Sequence, residues 1–531
     1  MPPNHLVIAP AAAGRVAVGL RLRARSRAGR AAGAGALAPF ALAALSGAAF
    51  AAGFPPLSWS IVAWLALVPL LVACAVLSPL RAAMAGMCWT ATAALGVAWF
   101  LPAMLSNYFG LAAVPSWLAA VAIAAGLHGL CVSGYAAWVA WLVQRRAAHP
   151  VLLAGGWLVC EFARAHGALG SPWALTAYSQ MHWTPLIQIA DLAGPYGIGM
   201  LVAAVNACAA ALLVPALRGR RPLLTATTIA AALAAVLLYG QWRLGQTFGD
   251  GPAVGVAVVQ GGAPPAEQAQ RPARLARYVE LTGSGASAQP SLIVWPEYAV
   301  EAYLEEASST RDTVLRVAEE MRADLILGGP HYAPSASGTR YHNSVYLVRD
   351  GRLAARYDKH RLVPFAEEVR LAWLLGDKPT SYTAGRGGFV LPATALRVGA
   401  SLCLEAMFPD LVRQAAAQGA EVLVNLSNDA WFGHPEPARH QLEIAILRAV
   451  ENRRYLVRAA ATGFSAVIDP HGRTLAQSEF DARQVLNATV RASHARTPYQ
   501  LWGDAFAWLV IAGVAGATLR PLLDRTVRSQ P

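Results

Sequence analysis

The sequence predicts two unlike parts: a membrane α-helical bundle of about eight spans and, set before the last span, a layered α/β domain. Three observations predict this. Of 531 residues, 56% are hydrophobic and 14% charged, whereas soluble domains carry about 25% charged residues. Apolar stretches of spanning length recur through the first half of the chain and return once near its end. Between them, residues 245–500 change texture, and short β-rich runs alternate with helical patterns.

Taken in order, residues 1–35 are rich in Ala, Gly and Arg, with no acid, and are expected to form a basic cytoplasmic tail. Residues 36–244 form the expected membrane domain, with apolar stretches at 36–53, 58–77, 83–105, 116–143, 150–165, 191–217 and 222–240. Ala49-Phe50-Ala51 resembles a signal-peptidase site, but a second apolar stretch follows within a few residues, which argues against cleavage. Residues 501–531 supply a last span, 504–520, and a second basic tail. With the first tail inside, alternation also places Arg81, Arg145-Arg146, Arg218, Arg220-Arg221 and the arginines from Arg520 onward inside. The loops 54–57 and 106–116 carry no Lys or Arg and fall outside. The positive-inside rule thus puts the domain 245–500 on the extracytoplasmic side, as for a multi-pass protein of a bacterial inner membrane. This distribution also accounts for the net charge of +13. No recognition motif accompanies the charge, so nucleic acid is not an expected partner.

Within 245–500, strands are expected at Val254–Gln260, Leu292–Trp295, Asp324–Gly328, Ser344–Arg349, Leu396–Cys403, Val422–Ser427 and Phe464–Asp469. Asp350-Gly351 is a hairpin turn signal. Helical patterns fit Ser308–Arg322 and Pro437–Arg453. There is neither a G-x-G-x-x-G nor a Walker-type loop, so no nucleotide site is supported.

Five of the six cysteines, Cys74, Cys88, Cys131, Cys160 and Cys208, fall in apolar stretches, where Cys behaves as a small hydrophobe. Cys403 alone lies in the polar block and has no disulfide partner there. It ends a strand-like run, Gly399–Cys403, and a second such run ends in Val294-Trp295-Pro296-Glu297. Sheet ends of this kind commonly carry sites. A third segment, Tyr357-Asp358-Lys359-His360-Arg361-Leu362-Val363-Pro364-Phe365-Ala366-Glu367, supplies a cation. Acyl transfer through a thioester needs these three groups: a thiolate, a carboxylate to move its proton, and a fixed positive charge for the oxyanion. Singly, each has a bland reading as a structural Cys, a surface Glu or a solvated Lys; it is the combination that points to an enzyme. Such chemistry requires neither metal nor dissociable cofactor.

The order Glu, Lys, Cys in these contexts resembles the carbon–nitrogen hydrolase (nitrilase) superfamily. More narrowly, the chain resembles the apolipoprotein N-acyltransferase family, through Val259-Gln260-Gly261, Trp295-Pro296-Glu297, Tyr357-Asp358-Lys359, Leu362–Glu367, Asn425–Gly433 and Ser465–Pro470. The resemblance implies a nitrilase-like αββα sandwich in which Glu297 is general base and acid, Lys359 the oxyanion stabiliser and Cys403 the nucleophile. It further implies a supporting role for Glu367 and matches Glu405, Asn343 and Trp431 to site positions. The implied reaction takes an acyl chain from a membrane phospholipid to the N-terminal amine of a diacylated apolipoprotein, with the enzyme acting as a monomer. Two positions depart from the family: Leu404 stands where Tyr is common, and Ala269 stands where Trp is expected. In the membrane part, Glu161 and Arg164 close the fifth apolar stretch, and Arg164 is a candidate for a phospholipid headgroup; snorkelling at the interface is its bland alternative. Two rival functions remain at this point: a membrane-tethered amidase using water, and a transporter with a regulatory domain.

Overall fold

The computed structural model describes residues 36–528 apart from 168–169, 263–270, 287–288, 337, 365–366 and 368–381. The basic tail 1–35, Ala269 and the Phe365-Ala366 pair of the lysine motif therefore lie outside the described residues.

The helical part comprises α1 (Ala36–Ala52), α2 (Val68–Val76), α3 (Pro79–Val97), α4 (Leu101–Phe109), α5 (Ala113–Ile123), α6 (Leu130–Gln144), α7 (Pro150–Ala165), α8 (Thr184–Ile187), α9 (Ala190–Leu213) and α10 (Pro222–Leu244). Among the described residues, only α9 and α10 are single helices long and apolar enough to cross a membrane; counting each bent pair as one span gives up to four. The predicted stretch 83–105 is such a pair, α3 and α4, bent by 62°. Pro102 opens α4 near its first position, and a proline there cannot continue the preceding helix. The stretch 116–143 is likewise divided, α5 running through a π-helical segment Ala124–Gly129 into α6. The stretch 58–77 begins with a 3₁₀ turn at Val62–Trp64, and α1 and the helix at Ala505–Arg520 are apolar but shorter. Apolar length along the chain is thus broken in space by proline and π turns.

The polar block folds into two six-stranded sheets. One is ordered β12-β1-β2-β3-β4-β5, with β1 Ala253–Gln260, β2 Leu292–Val294, β3 Asp324–Ser335, β4 Gly338–Arg349, β5 Arg352–Asp358 and β12 Gln484–Arg491. The other is ordered β11-β10-β9-β8-β7-β6, with β6 Val390–Pro392, β7 Arg397–Leu402, β8 Val422–Ser427, β9 Tyr455–Ala460, β10 Ala466–Ile468 and β11 Thr474–Gln477. Strand alternation separates the faces of the first sheet. Val256, Val258, Leu292, Val294, Ile326, Val345 and Leu347 face the second sheet's Val398, Ala400, Leu402 and Val424. The intervening Ala257, Val259, Ile293, Leu325, Leu327 and Tyr346 face helices α11 (Arg271–Gly285) and α12 (Ser309–Met321). Helices α13 (Pro409–Ala417) and α14 (Pro435–Asn452) cover the second sheet, which completes an αββα sandwich. α12 starts where Ser308 accepts the Arg311 amide at 3.2 Å and stops where Arg322 turns left-handed at φ 50°.

α14 also shows a second face to the helical part: Ile444, Leu447 and Val450 share one core with α2, α7 and α9. A buried ion cluster reinforces this seam. Arg453 donates to Asp191 at 2.8 Å, Arg243 reaches the same carboxylate at 2.6 Å, and Tyr239 donates to it at 2.8 Å. The chain ends in α15 (Pro498–Trp502) and α16 (Ala505–Arg528). Removing one partner of a buried ion pair leaves the other charge uncompensated. Asp191→Ala is therefore expected to destabilise the protein by about 3–5 kcal/mol. A lowered unfolding midpoint in detergent would show this; an unchanged midpoint would make the cluster dispensable.

Candidate active site

Three chain segments leave the sheets on the same side of the sandwich and bring Glu297, Lys359 and Cys403 together. Glu297 follows β2, whose ladder is extended by Trp295 donating to Ile326 at 2.8 Å. Lys359 follows β5 and is pinned by its amide to the Asn343 carbonyl of β4 at 2.9 Å. Cys403 follows β7, a strand parallel to β8. Its φ is 50°, a left-handed conformation that costs a non-glycine residue about 1–3 kcal/mol.

The ionisable groups form one buried cluster. The Lys359 ammonium donates to Glu367 at 2.8 Å and lies 3.7 Å from Glu297. Asn343 bridges the two carboxylates, its amide donating to Glu297 at 2.8 Å and to Glu367 at 3.1 Å. The other oxygen of Glu297 accepts the Asn428 amide at 3.0 Å, and that of Glu367 accepts the Val363 amide at 2.9 Å. Burial pushes Glu297 above the ordinary carboxylate range; Lys359 pulls it down and Glu367 pushes it further up. Burial works against the Lys359 ammonium, yet Glu367, Glu297 and Cys403 together outweigh it and hold its pKa above the ordinary value. Burial, followed by the Glu297 charge, pushes the Cys403 thiol up to about 12, with Lys359 acting in the opposite direction.

Glu405 lies in the turn begun by the nucleophile and touches none of these ionised groups by hydrogen bond. One of its oxygens accepts the His360 and Arg361 amides at 2.7 and 2.9 Å. The other accepts the Leu402 amide at 2.7 Å and the Tyr357 hydroxyl at 2.8 Å. Glu405 therefore ties the lysine loop to the cysteine turn.

The remaining candidates are placed differently. Trp431 sits on the turn Asp429–Phe432 and is 41% exposed, so it does not fill the core. Arg164 is buried away from this cluster. Its guanidinium donates to the Trp173 and Ala174 carbonyls at 2.8 and 2.6 Å and to Glu161 at 3.2 Å. The chain after α7 folds back to supply those carbonyls, a return that the sequence does not announce. Leu404 and Met407 of the cysteine turn line an apolar cavity of about 220 Å³ together with Phe100, Trp173 and Phe432, and Arg164 forms part of its wall. Gln260 of the Val-Gln-Gly motif is structural: it accepts from Ser465 and Ser478 at 2.6 and 2.7 Å. Sequence reasoning assigned no role to Asp429, Gln441 or Arg458, all buried, although Gln441 faces Cys403 and Arg458 holds Gln441 and Asp429; the signals were the Asn425–Gly433 motif and an arginine interrupting the apolar run Tyr455–Ala460.

The αββα sandwich places the polar block in a known class: residues 255–499 match the carbon–nitrogen hydrolase family. Residues 46–208 match the N-terminal domain of apolipoprotein N-acyltransferases. The chain is 32% identical to the apolipoprotein N-acyltransferase of Geobacter metallireducens across 90% of this chain and 94% of that one. It is 31% identical to that of Gloeobacter violaceus (90% and 93%) and 32% identical to that of Methylococcus capsulatus (74% and 80%). The chain belongs to the apolipoprotein N-acyltransferase family.

Replacing Glu405 by Gln turns an NH₂ group toward donors that need an acceptor. The expected cost is about 1.5–3 kcal/mol, with Lys359 and Cys403 losing register. Thermal unfolding and turnover should therefore fall together in Glu405→Gln; wild-type values for both would show that the carboxylate is not the tie.

Proposed function

We propose that the protein N-acylates apolipoproteins in two steps. Glu297 takes the proton of Cys403, and the thiolate attacks the ester carbonyl of a membrane phospholipid. Lys359 stabilises the oxyanion, and Glu297 returns the proton to the departing lysophospholipid, leaving a thioester on Cys403. The N-terminal amine of a diacylglyceryl-cysteine then attacks the thioester and gives up a proton to Glu297, and the amide forms as the sulfur leaves. Glu367 and Asn343 hold Lys359 and Glu297 in place. All of these groups come from one chain, so a monomer suffices.

The observation that carries this reading is the opening of the nucleophile's turn into an apolar cavity against the helical part. A thiol on the turn whose Leu404 and Met407 line that cavity suits an acyl donor held by its chain, whose transfer through water would expose apolar surface. This supports acyl transfer over an amidase using water, as do the relatives' names. Leu212, Leu223, Leu238 and Leu509 are largely exposed, which suits contact with lipid. In this reading residues 36–244 and the last helix are embedded in eight passes, the bent and shorter helices included. Residues 245–500 face the periplasm of a bacterial inner membrane, with the basic tails inside.

Incubation with phospholipid carrying a labelled acyl chain is expected to give a hydroxylamine-sensitive adduct on the wild type and none on Cys403→Ala. Diacylated lipopeptide should discharge it to an N-acyl product. Discharge by water alone at the same rate would favour the amidase. The pH dependence has a definite sign: Glu297 must be ionised to take the proton, so adduct formation falls as pH falls through its pKa. Because that pKa is raised, the acid limb should lie above about 4.3, the value of an ordinary glutamate. A limb at or below it would remove Glu297 as the base.

A further inference from the structure

A second set of contacts reaches Cys403 from β8, β9 and α14, apart from Glu297 and Lys359. Arg458 of β9 is fully buried. Its Nη2 donates to both oxygens of Asp429, at 3.0 and 2.9 Å, and to Oε1 of Gln441 at 3.0 Å. Its Nη1 donates to Oδ1 of Asn425. Asp429 is fixed in turn by the Ser427 hydroxyl at 2.5 Å. A guanidinium can only donate, so both amides must present their carbonyl oxygens to Arg458 and their NH₂ groups elsewhere. The Asn425 NH₂ is shared between the Ser401 hydroxyl at 3.1 Å and the Cys403 carbonyl at 3.3 Å, whereas Gln441 Nε2 faces the thiol itself, 3.9 Å from Sγ. The chemistry of Arg458 thereby settles the amide orientation, which is otherwise a matter of assignment.

From this geometry we infer that Gln441, oriented by Arg458 and Asp429, is a catalytic donor that stabilises the Cys403 thiolate. The inference rests on the reading of Cys403 as nucleophile. In acylation the thiol proton passes to Glu297, the electron pair stays on Sγ, and the Gln441 N–H points at the charge while keeping its own proton. In the second step the carbon–sulfur bond breaks, the pair returns to Sγ, and the same N–H stabilises the leaving thiolate. Such a donor has work to do here. Burial and the charges of Glu297, Asp429 and Glu367 oppose the thiolate, and Lys359 favours it. Arg458 stands behind the amide, Glu405 on the nucleophile's own turn is taken up by four donors, and on α14 His440 and Glu443 lie 3.7 Å apart. A neutral amide adds stabilisation without competing for the proton that Glu297 must carry.

The test is the rate at which iodoacetamide alkylates Cys403 in the full-length protein in detergent, followed on the Cys403 peptide by mass spectrometry between pH 6 and 10. Gln441→Leu removes the donor. Gln441→Glu keeps the shape and the acceptor for Arg458 but places oxygen where the N–H stood. Loss of a hydrogen bond to a charged group should slow labelling about tenfold or more at each pH and move the pH–rate curve up by about one unit. Gln441→Glu should be no faster than Gln441→Leu, although a purely structural role would leave it at the wild-type rate. Equal labelling of Cys403 in the wild type and Gln441→Glu overturns this inference alone. A wild type in which Cys403 takes no label overturns the nucleophile reading and the inference with it.

Discussion

Four donors converging on Glu405 hold the catalytic edge of the sandwich together. The lysine and cysteine leave different sheets, and nothing in either sheet's own hydrogen-bond ladder fixes one relative to the other. Glu405 does so by accepting the amides at 360 and 361 on one side and the Leu402 amide on the other. The Tyr357 hydroxyl closes the set from within β5. The same contacts hold the turn in which Cys403 adopts φ 50°, so backbone strain at the nucleophile is offset by bonds to one carboxylate two residues later.

Once the edge is held, its chemistry follows from charge balance in a dry space. An ammonium, two carboxylates and a thiol share the cluster. Each ion alone would be costly to bury, and their mutual contacts reduce that cost. Lys359 is consequently held in its charged form, which suits the oxyanion stabiliser proposed above. Glu297 is pushed the other way and holds a proton more readily than a solvated carboxylate. With the thiol pushed up to about 12, a free thiolate is disfavoured at rest. In the proposed reaction it becomes accessible when the proton moves to Glu297 during attack.

Much of this was legible in the sequence. Cys403 stood out because every other cysteine lies in an apolar stretch, and Glu297 because a buried run ends in Trp-Pro-Glu. The helix limits near 308–322 and 437–453 fell within about two residues of those observed. Less legible were features created by contacts remote in sequence. β9 carries a fully buried arginine, which breaks the apolar pattern of a central strand; among the described residues Asp429, Asn425 and Gln441, from three other elements, accept its hydrogen bonds. Gln441 lies on a helix whose polar and apolar residues are both buried, so periodicity marks no face. The number of spans was obscured for a related reason. Hydropathy adds up along the chain and does not register the bends that Pro102 and the π-helical segment introduce.

The helical part and the sandwich meet at the turn that carries Cys403. A thiolate must be held about 3–3.5 Å from its carbonyl in an aligned geometry to react efficiently, while an acyl chain is a slack tether. The structure answers this by making the nucleophile's turn part of the helical core: Met407 belongs to that core and Leu404 packs against it. The Arg453–Asp191 contact, with Arg243 on the same carboxylate, fixes α14 to α9. α14 also carries Gln441, so the helix that docks on the helical part is the one that reaches the thiol. In the proposed reaction an acyl chain held among Phe100, Trp173 and Phe432 would lie against the turn that carries Cys403.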